Sequence, residues 1–167
     1  MSILDAWRFC PRCREELERD GGRLHCPSCG FEAWANSVPG AQALIRDDRG
    51  RLLLGRRGAD PGRGRWDLPG GFLEEGEHPL DGLRREVREE TGLEIEPTEF
   101  FGIWMEPYDG RWVLCLTWLA RAAGGAEQAG DDLVELCWFA PDELPGDGDL
   151  AFSSFPAILA RWRDQQA

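Results

Sequence analysis

The sequence lacks several features that define large classes of protein. No run of 18 apolar residues occurs, so we expect no membrane-spanning helix. Residues 1–7 contain no basic stretch followed by an apolar core, so we expect no secretory signal and a cytoplasmic protein. Lysine is absent, which we attribute to compositional bias and from which we infer no chemistry. The formal charge of −12 argues against broad nucleic-acid binding, because such binding depends on basic side chains that neutralise phosphates.

What the chain does contain indicates a folded protein. Its 167 residues are 42% hydrophobic and include eight Trp and eight Phe, enough apolar area to exclude general disorder. This length suits one compact domain with a small appendage.

Four of the six cysteines form two Cys-x-x-Cys pairs, Cys10 with Cys13 and Cys26 with Cys29. This spacing predicts a tetrahedral Zn²⁺ site, which we favour over two disulfides because we expect no secretion. Residues 1–36 are therefore interpreted as a zinc ribbon, too short to fold without the metal. The ribbon carries five Arg against six acids, so we expect a structural or substrate-flanking role and no DNA binding. Cys115 and Cys137 are interpreted as apolar filler.

Residues 37–167 have the pattern of an α/β domain. Segments 41–45 and 51–55 predict a β-hairpin, and further strands are expected near 99–105, 111–120 and 133–139. Helices are expected at 79–91 and 155–163, and 122–132 is predicted to be a loop. Leu80, Leu83 and Val87 would form the buried stripe of the first helix. Strands alternating with two helices indicate a mixed sheet in a sandwich.

The first predicted helix carries three carboxylates on one face. Glu86, Glu89 and Glu90 are at positions i, i+3 and i+4, where like charges repel each other. Oxygen ligands of this kind are typical of Mg²⁺ or Mn²⁺ sites. A solvated helix face explains the spacing equally well, so the spacing alone leaves both alternatives open.

A longer pattern around this helix resembles the signature of the Nudix hydrolases. The pattern is Gly71-x₅-Glu77-x₇-Arg85-Glu86-Val87-x-Glu89-Glu90-x-Gly92-Leu93. The flanking segments 66–74 and 138–145 also resemble this family. The resemblance implies a Nudix-type α/β/α sandwich with a mixed sheet, preceded here by the small zinc ribbon. It also implies hydrolysis of a diphosphate that joins a nucleoside to another group.

The resemblance also implies roles for individual residues. Glu86 and Glu90 would be the main Mg²⁺ or Mn²⁺ ligands, Glu89 a ligand or base, and the carbonyl of Gly70 a further metal contact. Arg85 would hold the glutamates by salt bridges without touching substrate. An acid from a late loop would complete the site, and we prefer Asp132, because Glu135 falls inside a predicted strand.

A ribbon placed before such a domain resembles the NADH pyrophosphatases. Trp34, five residues after Cys29, would contact adenine or else cover the junction between ribbon and domain. The segment 100–108 departs from the pattern of those enzymes, so NADH specificity does not follow from the resemblance. Phe72, Trp104 and Tyr108 are the other candidate substrate contacts.

Two functional hypotheses remain at this point. The first is a Mg²⁺-dependent pyrophosphatase that acts on a small nucleotide diphosphate, such as ADP-ribose or a dinucleotide. The second is a non-catalytic nucleotide sensor that engages a protein or RNA partner through its ribbon. The three crowded carboxylates favour the first, because a sensor has no need of them. Neither hypothesis includes a membrane or DNA partner, and a homodimer is compatible with both.

Overall fold

The computed structural model describes residues 3–165. A 3₁₀ turn at Ile3–Ala6 precedes a small antiparallel sheet in the order β1-β2-β3. Its strands are β1 (Glu18–Asp20), β2 (Arg23–His25) and β3 (Glu32–Trp34). Cys10 and Cys13 precede β1, and Cys26 and Cys29 lie between β2 and β3, so the short sheet and the thiols form one unit.

The second sheet has seven strands in the main order β10-β5-β4-β9-β8. They are β4 (Val38–Arg46), β5 (Leu52–Arg57), β6 (Trp66–Asp67), β7 (Gly70–Phe72), β8 (Leu93–Tyr108), β9 (Arg111–Gly125) and β10 (Leu133–Phe139). Strands β4 and β9 are parallel and the other neighbours are antiparallel, so the sheet is mixed, as expected. Next to their turn, β4 and β5 pair at Arg46 and Leu52, and farther along β7 pairs with β4 and β6 with β5.

Two helices cover the opposite faces of this sheet: α1 (Pro79–Thr91) and α2 (Phe155–Asp164). The core beneath α1 contains Ala43, Ile45, Leu53, Leu83 and Val87. The core beneath α2 contains Leu44, Leu52, Leu54, Ile158 and Trp162. Neighbouring residues of β4 and β5 alternate between the two cores because strand side chains alternate in direction. The predicted α/β/α sandwich is confirmed. A further 3₁₀ turn spans Asp147–Asp149.

Helix α1 has the boundaries that its sequence predicts. Nδ1 of His78 accepts a hydrogen bond from the Leu80 amide, and Pro79 begins the helix. Gly92 ends it in the left-handed conformation (φ 69°), where a Cβ atom would collide with the Ala126 carbonyl. Leu83 and Val87 are fully buried, whereas Leu80 is only half-buried, so it forms the rim of the predicted stripe.

The long hairpin of β8 and β9 is where the structure departs most from the sequence pattern. Pairing runs from Leu93 with Gly125 to Tyr108 with Arg111, so both strands extend well beyond the predicted segments. The predicted loop 122–132 therefore begins as strand. Three shifts in register interrupt β8, which breaks the alternation by which a long strand is recognised. In the described part of the chain, no helix is both long and apolar enough to cross a membrane.

Candidate functional site

A cavity of about 240 Å³ opens among β4, β7, α1 and the segments that precede β10 and α2. Two sets of side chains line it. The acidic set consists of Asp67, Glu86, Glu90, Glu106, Asp131 and Asp132. The aromatic set consists of Phe72, Tyr108, Phe152 and Phe155. Ring centroids are 5.3 Å apart between Phe72 and Tyr108 and 5.8 Å apart between Tyr108 and Phe152.

The three motif glutamates of α1, Glu86, Glu89 and Glu90, occupy three different environments. Glu90 is 4% exposed, and its Oε2 accepts a hydrogen bond of 2.8 Å from the Gly70 amide. Glu86 is half-buried and also lines the cavity. Glu89 points toward solvent, with 49% of its side chain exposed, and it is not among the lining residues. The structure thus brings Glu86 and Glu90 together and leaves Glu89 at the edge.

Burial makes the inner carboxylates costly to ionise. Desolvation raises the pKa of Glu90 well above its ordinary value, and the charges of Asp67 and Glu86 raise it further. Desolvation also raises the pKa of Glu86, against the opposing effect of Arg85. A cation beside these oxygens would remove that cost, so the acidic set has the chemistry of a hard-metal site.

Glycines at β7 let the backbone reach these carboxylates. Gly70 has φ 147°, and a Cβ atom there would collide with the backbone of β4. A Cβ atom on Gly71 would collide with the carboxylate of Glu86. The Gly70 backbone is therefore in contact with Glu90, and metal binding by its carbonyl stays a prediction.

Arg85 connects the carboxylates outside the cavity. It donates to both oxygens of Glu77 at 2.9 Å, to Glu86 at 2.8 Å, to Glu89 at 3.1 Å and to the Phe72 carbonyl at 3.1 Å. The hydrogen bonds from Arg85 to Glu77, together with one from the Glu74 amide, lower the pKa of Glu77 to about 2. Arg85 does not line the cavity. Its geometry matches the predicted role of a residue that holds the glutamates in place.

The two candidate acids from the late part of the chain, Asp132 and Glu135, differ in their position relative to the cavity. Asp132 lines the cavity, and its Oδ2 accepts from Nη2 of Arg57 at 3.2 Å. Glu135 is part of β10 and pairs with Arg56 at 2.9 Å, away from the cavity lining. This placement favours Asp132, although neither residue is shown to bind a metal.

Four charged cavity residues were not predicted from the sequence: Arg57, Asp67, Glu106 and Asp131. Arg57 is 5% exposed and donates to Asp67 at 2.6 Å and to the Pro61 carbonyl at 2.6 Å. Burial raises the pKa of Asp67 to about 6, in spite of this ion pair. Asp131 precedes Asp132 in the lining. The signal that could have identified Arg57 is a charge at the end of an apolar strand, after Leu52–Leu54.

The predicted substrate contacts divide into two groups. Phe72 and Tyr108 line the cavity, as does Phe152, which was not predicted. Trp104 does not line the cavity: it packs against the core beneath α2, so the structure gives its assignment as a substrate contact no support, and the assignment stays a prediction. Trp34 lies on β3, 57% exposed, with the Arg23 guanidinium 5.6 Å from its ring, and it is not part of the lining.

The ribbon cysteines are arranged as a metal site. Sulfur atoms are 3.5 Å apart between Cys10 and Cys29 and 3.4 Å apart between Cys13 and Cys26, and all four lie within 4.8 Å of one another. Tetrahedral zinc with bonds of about 2.3 Å requires sulfur atoms about 3.8 Å apart. Over residues 3–165, no other group of three or more His, Cys, Asp or Glu is this tight. The cavity carboxylates are thus more widely spread than the thiols.

The two remaining cysteines differ in their surroundings. Cys137 packs against the core beneath α2, in agreement with its interpretation as filler. Cys115 lines the cavity, and desolvation raises the pKa of its thiol to about 12. Cys115 therefore stays protonated at neutral pH and is a poor nucleophile.

Comparison with known proteins gives a consistent result. A family model described as NUDIX domain matches residues 37–159. A MutT-like protein of Streptomyces ambofaciens is 39% identical over 109 residues, 65% of this chain and 67% of that protein. An ADP-ribose pyrophosphatase of Methanocaldococcus jannaschii is 35% identical over 80% of this chain and 79% of its own length.

Two further matches cover more of this chain. The NAD-capped RNA hydrolase NudC of Chromobacterium violaceum is 33% identical over 83% of this chain, which spans 52% of that relative. The crystal structure of a NUDIX hydrolase from Nitrosomonas europaea superposes with a TM-score of 0.83 and 25% identity, covering 96% of this chain and 92% of the other.

Proposed function

The chain belongs to the Nudix family, and we propose that it is a metal-dependent pyrophosphatase that cleaves a diphosphate linking a nucleoside to another group. The observation that carries this proposal is the convergence of Glu86, Glu90 and Asp132 on one cavity beside the Gly70 backbone. A purely sensory module would gain nothing from the free energy needed to hold buried carboxylates together.

Glu86 and Glu90 would hold Mg²⁺ or Mn²⁺, with Glu89, Asp132 and the Gly70 carbonyl as further ligands. The buried Glu90 carboxylate supports this fit. Its pKa is raised by desolvation and by the negative charges of Asp67 and Glu86, and a bound cation would offset both effects. When bound, the cation neutralises charge on the phosphoryl oxygens and lowers the pKa of a water molecule. Zn²⁺ would be held separately by Cys10, Cys13, Cys26 and Cys29.

The protein groups have distinct tasks in this proposal. Glu89 is the candidate base, because it is the most exposed of the three motif glutamates and Arg85 holds its carboxylate at the edge of the site. Arg85 fixes the direction of Glu86 and Glu89. Phe72 and Tyr108 present ring faces and edges for the nucleoside. Arg57 counters the charge of Asp67 and Asp132, so that the cavity can accept an anionic substrate.

ADP-ribose or a dinucleotide such as NADH is the substrate class we propose. The support comes from the relatives named for ADP-ribose and NAD-capped RNA, of which the ADP-ribose enzyme matches this chain over most of its length. We assign residues 1–36 to the ribbon and 37–167 to the Nudix domain, although residues 1, 2, 166 and 167 lie outside the described part. A reducing compartment, the cytoplasm, would keep the four thiols available as ligands. A homodimer stays a prediction.

The test is an assay of phosphate-ester products with purified protein, Mg²⁺ and a panel of substrates. The panel contains ADP-ribose, NADH, diadenosine polyphosphates and nucleoside triphosphates. We expect AMP as a product from ADP-ribose or NADH, with kcat/KM at least tenfold above that for the triphosphates. Faster hydrolysis of a triphosphate would contradict the proposed substrate class, and no hydrolysis of any substrate would contradict the proposed activity.

A further inference from the structure

Glu106 is a buried carboxylate in the cavity lining for which the proposed chemistry has no use. It lies on β8 and is 7% exposed. Its Oε1 accepts hydrogen bonds from the amide of Ser153 at 3.1 Å and from the Ser153 hydroxyl at 2.7 Å. Its Oε2 accepts from the amide of Ser154 at 2.9 Å. All three donors belong to the short segment that leads into α2.

These hydrogen bonds fix the start of α2 to the sheet. Ser154 precedes the first residue of α2, and its own side chain makes no capping hydrogen bond. The Glu106 carboxylate, 47 residues earlier in the chain, instead accepts from two consecutive backbone amides there. Hydrogen bonds to the oxygens of a buried carboxyl group are sheltered from competing water. The segment before α2 is therefore tied to one position on β8.

Phe152 is the residue whose placement this tie controls. It immediately precedes Ser153, and its ring lines the cavity. The ring lies 5.8 Å from that of Tyr108 at a tilt of 35°, and the Arg57 guanidinium lies 5.4 Å from its centroid. It also meets Phe155 edge to face at 5.4 Å. The backbone before Phe152 is held by the hydrogen bond from the Ala151 amide to the Trp66 carbonyl at 2.8 Å, and the backbone after it is held through Glu106.

We propose that Phe152 is a stacking contact for the nucleobase and that Glu106 is the positioning residue that holds Phe152 in place. This inference rests on the proposed function, because a nucleoside must enter the cavity. The flat face of a base stacks well on an aromatic side chain, and the aromatic set lines the same cavity as the acidic set. The base would then lie against Phe152 and Tyr108 while the diphosphate meets the carboxylates.

The test is equilibrium binding of AMP and of ribose 5-phosphate, measured by calorimetry without Mg²⁺ or Mn²⁺. The two probes differ by the base, so the ratio of their affinities reports the base contact. The variants are Glu106→Gln, Phe152→Ala and the double variant. The matched control is Glu99→Gln, the same change at an exposed position of the same strand. Gln keeps the length of Glu106 but replaces one of its acceptor oxygens with a donor group.

We expect Glu106→Gln and Phe152→Ala each to weaken AMP binding about tenfold and to change ribose 5-phosphate binding less than twofold. The double variant should bind AMP no more weakly than Phe152→Ala, because Glu106 acts through Phe152. Phe152→Tyr should retain AMP affinity, whereas Phe152→Leu should lose it. With ADP-ribose as substrate, Glu106→Gln should raise KM and leave kcat within threefold. The control should match the wild type throughout.

A Glu106→Gln variant that melts earlier but binds AMP normally would overturn the positioning role and leave a structural one. Wild-type protein that binds AMP no better than ribose 5-phosphate would overturn the base contact, as would normal AMP binding by Phe152→Ala. These outcomes are separate from failure of the proposed function. AMP binding that depends on Phe152, combined with no hydrolysis of any substrate, would reject the enzyme and retain the subsite.

Discussion

Individual carboxylates around the cavity differ in what compensates their charge. Glu90 has one backbone hydrogen bond and lies in a desolvated position, whereas Asp132 is paired with Arg57 and remains 44% exposed. Glu135 is paired with Arg56 and is 52% exposed. Glu90 and Asp132 line the cavity and Glu135 does not, so these surroundings predict different effects of substitution.

The late carboxylate can be identified by matched substitutions. We expect Asp132→Asn to reduce kcat at least about tenfold, because it removes a charged oxygen from the cavity. Glu135→Gln should change kcat less than twofold, since its partner is Arg56 on the neighbouring strand. The measurement is steady-state hydrolysis at saturating Mg²⁺. The reverse pattern, a large loss for Glu135→Gln and a mild one for Asp132→Asn, would identify Glu135 as the late acid.

The raised pKa of Glu90 predicts how its replacement affects stability. The folded protein binds this proton more tightly than the unfolded chain, so the contribution of Glu90 is most favourable below its ordinary pKa of 4.5 and is lost as pH rises. Glutamine does not titrate. In buffer without Mg²⁺ or Mn²⁺, the Tm of Glu90→Gln relative to the wild type should therefore increase between pH 5 and pH 8. A difference that stays constant or falls over this range would contradict the assignment of a desolvated Glu90.

At the scale of elements, we expect the ribbon to depend on a metal. Its three strands have three residues each, too few to bury a core, so zinc bound by the four cysteines would supply the free energy of folding. We expect elemental analysis of purified protein to find about one Zn²⁺ per chain after dialysis, while Mg²⁺ exchanges freely. Disulfides between Cys10 and Cys13, or Cys26 and Cys29, with no zinc present, would show that the site is not a metal site.

Trp34 tests whether the ribbon reaches the substrate. Its ring is largely exposed and rests near Arg23 of its own sheet, so Trp34→Ala should change Tm by less than about 2 °C. We expect KM for adenine-containing substrates to be retained, because Trp34 lies outside the cavity in which the base is placed. A rise in KM equivalent to about 1–3 kcal/mol, with kcat retained, would instead show that the ring stacks on the base. Kinetics and a melting curve on this variant are the measurement. Unchanged KM would confine Trp34 to the ribbon.

Elements with strong local signals were predictable, and those set by pairing were not. Helix α1 follows from Pro79, the apolar spacing of Leu83 and Val87, and Gly92 at its end. Strand β8 was predicted too short. It is formed by pairing with β9, and three shifts in register interrupt the alternation of apolar and polar residues that marks a strand in a sequence. The sequence does not give the direction of a side chain on an irregular strand, so it could not decide whether Trp104 lines the cavity.

At the scale of the whole molecule, the cavity is assembled from segments far apart in the chain. The Nudix motif predicts the part on α1, where spacing alone determines which side chains share a face. Arg57, Asp67, Glu106 and Phe152 come from four other segments, and no local pattern indicates that they meet. The pairing of β6 with β5 places Asp67 near Arg57, and the pairing of β7 with β4 places Gly70 on the same side of the sheet. Arg57 and Asp67 then line the same cavity as the carboxylates of α1. The sequence motif therefore predicts the α1 part of the site, and the pairing of the strands determines the rest.

The measurement that tests the central claim most directly is the Mg²⁺-dependent rate of ADP-ribose hydrolysis by wild-type protein and by Glu90→Gln. Glu99→Gln, exposed on β8, is the control for removal of one charge. We predict that the wild type and the control release AMP only when Mg²⁺ or Mn²⁺ is added, and that Glu90→Gln loses about a thousandfold in kcat while remaining folded. Equal rates for the wild type and Glu90→Gln, or hydrolysis that does not require a divalent cation, would contradict the account.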